Sequence, residues 1–435
     1  MVLPRFMVPD DTQVVVPEAT VRAAVEAMFK SIGMPADNAA ECTNVLVASD
    51  LRGNDSHGVS NMLREYLAGF LRGRPVRGYE IGGPIYDCNP RPIFRTIRDR
   101  PATAVVDADG ALGIHVAPHA MRMAIAKAKA VGSGSVVVRN AGHFGAIGYF
   151  AKMAADVGCV GQVMLSSGGN MPPTFGGQPR LGTNPVAWAA PAGSEIPLML
   201  DMATTQVAGN KLGLASRLGV PLPANWITEP DGTIISKEAA SPDLRTALLL
   251  PIGGTRENGS HKGYGIAAVN ELMTHGLSST GGHQVPPVSS PARVPIDGKL
   301  KKTHGALNSC FFCAWDVEAF TDEADFATAA DILLTGLKDT APAPGHDRVL
   351  YPGLRGAELT NERRQAGIPY HPEVVVWFHR AAEQLDEAVA AAVAQFPSHA
   401  GKCTPEEEAE WRSKPAFERS LSDAKVTALD GYSKL

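Results

Sequence analysis

Apolar residues recur at helical spacing over residues 17–32, where Val21, Ala24, Val25 and Met28 form one stripe. Pro17 and Glu18 suit the first turn of that helix. Proline's missing N–H is not needed there, and the carboxylate faces the positive helix end. A second stripe of Cys42, Val45, Leu46 and Ala48 predicts a helix over 36–51, and a third helix starts at or near His57 and runs to about Leu71. Residues 72–99 are rich in Pro, Gly and Arg and read as loop. Strands and helices then alternate: strand 102–106, helix 115–130, strand 135–138, helix 145–157 and strand 160–165. Short strands at 186–189 and 197–200 precede a helix over 205–218 and a loop over 221–242. A helix over 263–277, an exposed excursion over 278–304 and a strand over 311–315 follow. The pattern closes with helices 322–337 and 354–365 and one long helix over 371–395. Such alternation indicates an α/β core. Beyond Phe396 the chain turns charged and reads as a mobile tail.

Composition narrows the function classes. With 435 residues the chain can form two domains, and 44% apolar with 20% charged residues is ordinary globular usage. The net charge is −5 without a long basic run, so no nucleic acid partner is expected. No apolar run approaches the roughly 18 residues that span a bilayer. The first ten residues lack a signal pattern, so a soluble intracellular protein is expected. Six cysteines are scattered, and Cys310-Phe311-Phe312-Cys313 reads as a buried strand; no metal site is expected. The final Ser433-Lys434-Leu435 matches the peroxisomal address read by an import receptor. Peroxisomal location is therefore expected in a eukaryote, with the cytoplasm as the alternative.

Candidate chemistry lies in polar and Gly-rich islands. His57 in Asp55-Ser56-His57-Gly58 sits on a turn, and His143 follows a strand in Asn140-Ala141-Gly142-His143-Phe144-Gly145. Histidine titrates near neutrality and suits proton transfer, although a lone histidine is more often structural. Asp201 ends an apolar strand, where it would either orient a histidine or cap the following helix. Thr183 and Asn184 in Leu-Gly-Thr-Asn-Pro either bond a ligand or make a turn. Ser166-Ser167-Gly168-Gly169-Asn170 follows a strand and allows close backbone approach to phosphate or ribose. His261-Lys262-Gly263 opens a helix and forms a candidate anion site. The usual Gly-x-Gly-x-x-Gly dinucleotide fingerprint is absent.

These islands, in this order and with Leu200-Asp201-Met202-Ala203 and His261-Lys262-Gly263-Tyr264-Gly265, resemble the malate/L-lactate dehydrogenase family from about Val16 to about Phe378. The resemblance implies an α/β fold with a non-Rossmann NAD(P)-binding sheet domain over 121–289. A helix-rich substrate and dimerisation domain would come from 16–120 and 290–395, followed by a tail over 396–435. It implies NAD or NADP as cofactor, a homodimer, and a small 2-keto or 2-hydroxy acid as substrate. His57 is then the leading proton carrier, with His143 as competitor or as a nicotinamide or substrate contact, and Asp201 beside them. Ser56, Arg52, Asn61, Arg64 and Thr183 form the substrate set. Ser166, Ser167, Gly168, Asn184, His261, Lys262, Gly263, Pro352 and Gly353 form the cofactor set. Two departures stand out. Asn61 occupies a position where many members carry arginine, leaving Arg52 or Arg64 to supply the cation. Leu354 follows Pro352-Gly353 where the family usually has glutamate. The alternatives are a cyclic imino-acid reductase on the same scaffold and a non-catalytic binding protein.

Overall fold

The computed structural model describes residues 4–69, 88–240, 248–278, 293–296, 299–302 and 308–413. Most of the loop at 72–99, much of the excursion at 278–304 and the terminal Ser433-Lys434-Leu435 lie outside the described residues. The N-terminal layer is helical. After β1 (Val14–Val16) come α1 (Glu18–Ser31), α2 (Ala36–Leu51) and α3 (Val59–Gly69). The predicted stripe of α1 is buried, as are Cys42, Val45 and Leu46 of the α2 stripe, whereas Ala48 is only half-buried. The chain enters a sheet through β2 (Arg95–Asp99) and β3 (Thr103–Asp107), then crosses by α4 (Gly113–Val131) to β4 (Ser133–Ala141). It continues through α5 (Gly148–Ala155), β5 (Cys159–Ser166), β6 (Val186–Ala190) and β7 (Leu198–Met202).

A small lobe follows: α6 (Asn210–Leu218), β8 (Ile227–Thr228) and β9 (Leu248–Leu249), with Phe6, Leu212 and Ile227 in a core of its own. Next, α7 (Ser260–Glu271) runs into a π-helical turn, Leu272–Gly276. The hairpin β10 (Arg293–Ile296) and β11 (Lys299–Lys302) leads to β12 (Asn308–Asp316). The chain ends its described course with α8 (Glu323–Lys338), α9 (Leu354–Ala366), β13 (Ile368–Tyr370), α10 (Pro372–Glu383), α11 (Glu387–Val393) and α12 (Pro405–Ser413). Pairing of β13 with β1 returns the C-terminal helices to the N-terminal layer.

The seven-stranded sheet has the order β2-β3-β4-β12-β5-β6-β7. Only β3 and β4 run parallel. This mixed, largely antiparallel sheet is not the doubly wound parallel architecture. At its centre β12 is almost wholly buried, as its unbroken apolar run requires. Cys310 and Phe312 join the main core, and Phe311 and Cys313 pack on the opposite face. The register places the ends of β4, β5 and β7 and the starts of β6 and β12 at one edge. The loops bearing His143, Ser167, Thr183 and Thr204 therefore converge there.

Several expectations are corrected. The sheet is not confined to residues 121–289, because β2, β3 and β12 come from outside that span. β2 also falls in the stretch read as loop. The helix expected over 205–218 begins only at Asn210. The expected long helix over 371–395 breaks, because Asp386 Oδ1 accepts the Val389 N–H at 3.2 Å and starts α11 anew. The stretch read as a mobile tail contains α12, where Arg380 Nη1 donates to the Trp411 carbonyl at 2.6 Å. Among the described residues no helix is long and apolar enough to cross a membrane.

Candidate active site

A short turn joins α2 to α3 and carries His57. Asp50, buried at the end of α2, accepts the Val59 N–H through Oδ2 at 3.0 Å and so caps α3. Tyr370 donates its hydroxyl to the same Oδ2 at 2.6 Å. Arg363 Nη1 donates to the Asp50 carbonyl and to Asp55 Oδ1, the latter at 2.8 Å. The turn is thus held by α9 and β13, elements some 310 residues distant in sequence. Asn61 Nδ2 closes it by donating to the Asp55 carbonyl at 2.5 Å.

His57 and His143 lie side by side, ring centroids 5.8 Å apart and planes 22° apart. Their hydrogen bonds select opposite tautomers. Ser56 Oγ donates its single proton to Asn54 Oδ1 at 3.0 Å and lies 2.9 Å from His57 Nδ1. His57 Nδ1 must therefore carry the proton, leaving Nε2 with a free lone pair. His143 Nδ1 accepts the Gly145 N–H at 3.0 Å and lies 2.8 Å from the Tyr66 hydroxyl. Its neutral ring therefore carries hydrogen on Nε2. Burial, then the charge of Lys211, lowers the His57 pKa to about 4. Burial, then His57, lowers that of His143 to about 3. Both rings are neutral at pH 7.

The predicted cations are otherwise engaged. Arg64 grips Glu373 with two nitrogens at 3.0 and 3.3 Å and lies over Trp377. Arg217, unforeseen, contacts Glu373 Oε2 at 3.1 Å and donates to Asn61 Oδ1, also at 3.1 Å. Burial alone would raise the Glu373 pKa, but Arg64 and Arg217 outweigh it and hold it at about 2. Arg52 Nη2 donates to the Gly353 carbonyl at 3.3 Å. Pro352 O accepts the Met199 N–H at 3.0 Å, so Pro352 and Gly353 pack on the start of β7. Asp201 Oδ2 accepts the Gly148 N–H at 2.8 Å, so the carboxylate caps α5, replacing both the histidine contact and the cap on the 205–218 helix.

On the sheet side, Gly168 is exposed, and a Cβ there would meet nothing within 4 Å. A Cβ on Gly182 would lie 2.4 Å from Ser167 Oγ, so only glycine lets the two loops touch. Asn170 Oδ1 is buried without a partner, as expected of a site awaiting a ligand. His261 and Lys262 are exposed in the first turn of α7, as expected. Other members of the expected cofactor set are structural. The Ser166 hydroxyl is buried and accepts from Thr274 at 2.6 Å. Asn184 is buried, accepts the Ser167 N–H at 3.1 Å, and donates to the Ala267 carbonyl and Glu271. A Cβ on Gly263 would lie 2.5 Å from Ile252 N, so that glycine serves packing. Thr183 keeps its hydroxyl 3.4 Å from Ser167 Oγ and its carbonyl bonded by Thr204.

The profile of the malate/L-lactate dehydrogenase family matches residues 16–377. The chain belongs to that family. Malate dehydrogenase of Pyrococcus horikoshii is 32% identical over 378 residues, covering 86% of this chain and 97% of the relative. Its solved structure superposes with a TM-score of 0.72 at 30% identity over 87% of this chain and 97% of that one. L-sulfolactate dehydrogenase of Methanocaldococcus jannaschii is 32% identical over 75% of this chain and 84% of the relative. The Δ1-piperideine-2-carboxylate reductase structure from Pseudomonas syringae shares the fold alone, with 20% identity and a TM-score of 0.63 over 83% of this chain and 97% of that one. As a family member the chain is an oxidoreductase of the 2-hydroxy-acid class that uses a nicotinamide cofactor.

Among the supports of this dehydrogenase site, Asp50 left a trace in sequence, a carboxylate on the buried face of α2. Arg363, Tyr370 and Arg217 left none, since nothing local marks their partners. Asp201 yields a pH test. Burial raises its pKa to about 6, against the pull of the Gly148 N–H and Arg52. The fold therefore favours its protonated form. The stability this contributes is full below about pH 4 and is lost as pH rises through 6. Asp201→Asn keeps an acceptor for Gly148 without the charge. Its melting temperature should exceed that of the wild type at pH 7, and the two should converge towards pH 4. Parallel curves across that range would refute the assignment.

Proposed function

We propose that the enzyme interconverts a small 2-hydroxy acid and its 2-keto acid, with His57 as the proton carrier. The opposed tautomers of the histidine pair carry this reading. His57 Nε2 offers a lone pair and takes the proton of the 2-hydroxyl; His143 Nε2–H donates a hydrogen bond to the same oxygen. A neutral His57 is ready for oxidation. For reduction it must be charged, and a bound carboxylate raises its pKa towards neutrality. Bound NAD(P)H supplies the hydride to substrate C2, or NAD(P)+ accepts it. The turn at Gly168 and Gly169 and the N-terminus of α7 would hold that cofactor, since the glycines permit close backbone approach and a helix N-terminus favours an anion.

The test is oxidation of NADH and of NADPH with pyruvate, oxaloacetate, 2-oxoglutarate, phenylpyruvate, ketopantoate and Δ1-pyrroline-2-carboxylate. Turnover of at least one keto acid is expected. Turnover of the cyclic imine alone would replace the reading with reduction of a C=N bond. Silence across the panel with NADH bound would leave a binding protein.

A further inference from the structure

Helix α6 docks on the turn that carries His57. Asn210 Nδ2 donates to the Ser56 carbonyl at 3.0 Å. Two turns on, Arg217 reaches the Ser60 carbonyl at 3.5 Å and Asn61. Between these anchors, half-buried Lys211 lies along Phe6, with its ammonium 5.0 Å from the ring centroid. The neighbouring guanidinium groups are occupied: Arg64 and Arg217 by Glu373, Arg363 by Asp55, Arg52 by a backbone carbonyl. Lys211 differs. Among the described residues no carboxylate lies within ion-pair distance of its Nζ, and no hydrogen bond reaches it. A half-desolvated ammonium without a counter-ion is costly unless an anion completes it. Its electrostatic reach includes the site, since it depresses His57 while Asp55 supports its own charge.

We propose that Lys211 holds the carboxylate of the substrate beside His57, making this residue the determinant of acid recognition. The inference rests on the dehydrogenase reading above. It explains how the chain dispenses with arginine at position 61: the cation comes from α6. Holding the carboxylate there fixes the adjacent C2 oxygen against the histidine pair.

The experiment measures oxamate, a non-reacting 2-keto acid analogue, binding to enzyme loaded with NADH or NADPH. Lys211→Met keeps the aliphatic stem on Phe6 and removes the charge. Oxamate affinity and 1/KM for the keto acid should fall about 100-fold, while NAD(P)H affinity holds and the melting temperature does not fall. Lys211→Arg should recover most of the loss. Wild-type oxamate affinity in Lys211→Met would overturn the proposal. If Lys211→Met does not fold, Lys211→Gln decides by the same readout. A wild-type enzyme that neither binds oxamate nor turns over any keto acid would instead overturn the dehydrogenase reading, and the proposal with it.

Discussion

His57→Ala lowers kcat/KM for keto-acid reduction by about 10³-fold, or about 4 kcal/mol of transition-state stabilisation, and leaves NAD(P)H binding intact. The expectation follows from how the ring is held. Its bond to Ser56, itself oriented by Asn54, fixes both the tautomer and the plane. No other side chain pairs with it among the described residues, so the deletion leaves no buried group unsatisfied. The loss should appear in rate rather than in folding, and coenzyme fluorescence with an unchanged melting temperature checks this. His143→Ala is less clean, because the Tyr66 hydroxyl and the Gly145 N–H both lose a partner. A His57→Ala enzyme with wild-type turnover would remove His57 from the chemistry. A deeper loss in His143→Ala with an unchanged melting temperature would exchange the two roles.

What was legible in the sequence follows from locality. α1 and α2 declare themselves by stripes whose buried faces are complete within each helix. β12 declares itself by an apolar run that only a strand buried on both faces accepts. His57 and His143 stand in local motifs, so their candidacy was readable; their meeting was not, since one lies on the α2–α3 turn and the other just beyond β4. The roles of charged residues were not readable. Arg64 looked free because Glu373, its partner, lies 309 positions away. Asn184 looked like a ligand group because its donor just after β5 and its acceptors on α7 are invisible locally. That the sheet draws on strands outside 121–289 was hidden for the same reason: β12 joins β4 and β5 across more than 140 residues. Lys211 illustrates the converse. What marks it is that, among the described residues, no carboxylate lies within ion-pair distance of its ammonium, which only the folded chain can show.

Gly58→Ala should damage both the fold and the site. A Cβ at this position would stand 1.6 Å from Asp50 Oδ1 and 2.4 Å from its Cγ, closer than any packed atoms can lie. Asp50 has little room to give way. It is buried, and its Oδ2 is fixed by the Tyr370 hydroxyl and the Val59 N–H. Either α3 loses its cap or Tyr370 loses its partner. Overpacking together with one broken buried hydrogen bond costs about 3–5 kcal/mol, a large part of a typical folding free energy. The same shift moves His57, the adjacent residue, so the fraction that remains folded should be impaired as well. Denaturant unfolding of Gly58→Ala, with turnover per folded molecule, checks both effects. Gly168→Ala is the control, because a Cβ there meets nothing within 4 Å and should leave stability unchanged. Wild-type stability in Gly58→Ala would show that Asp50 moves freely, and the carboxylate would then not be what holds the histidine turn.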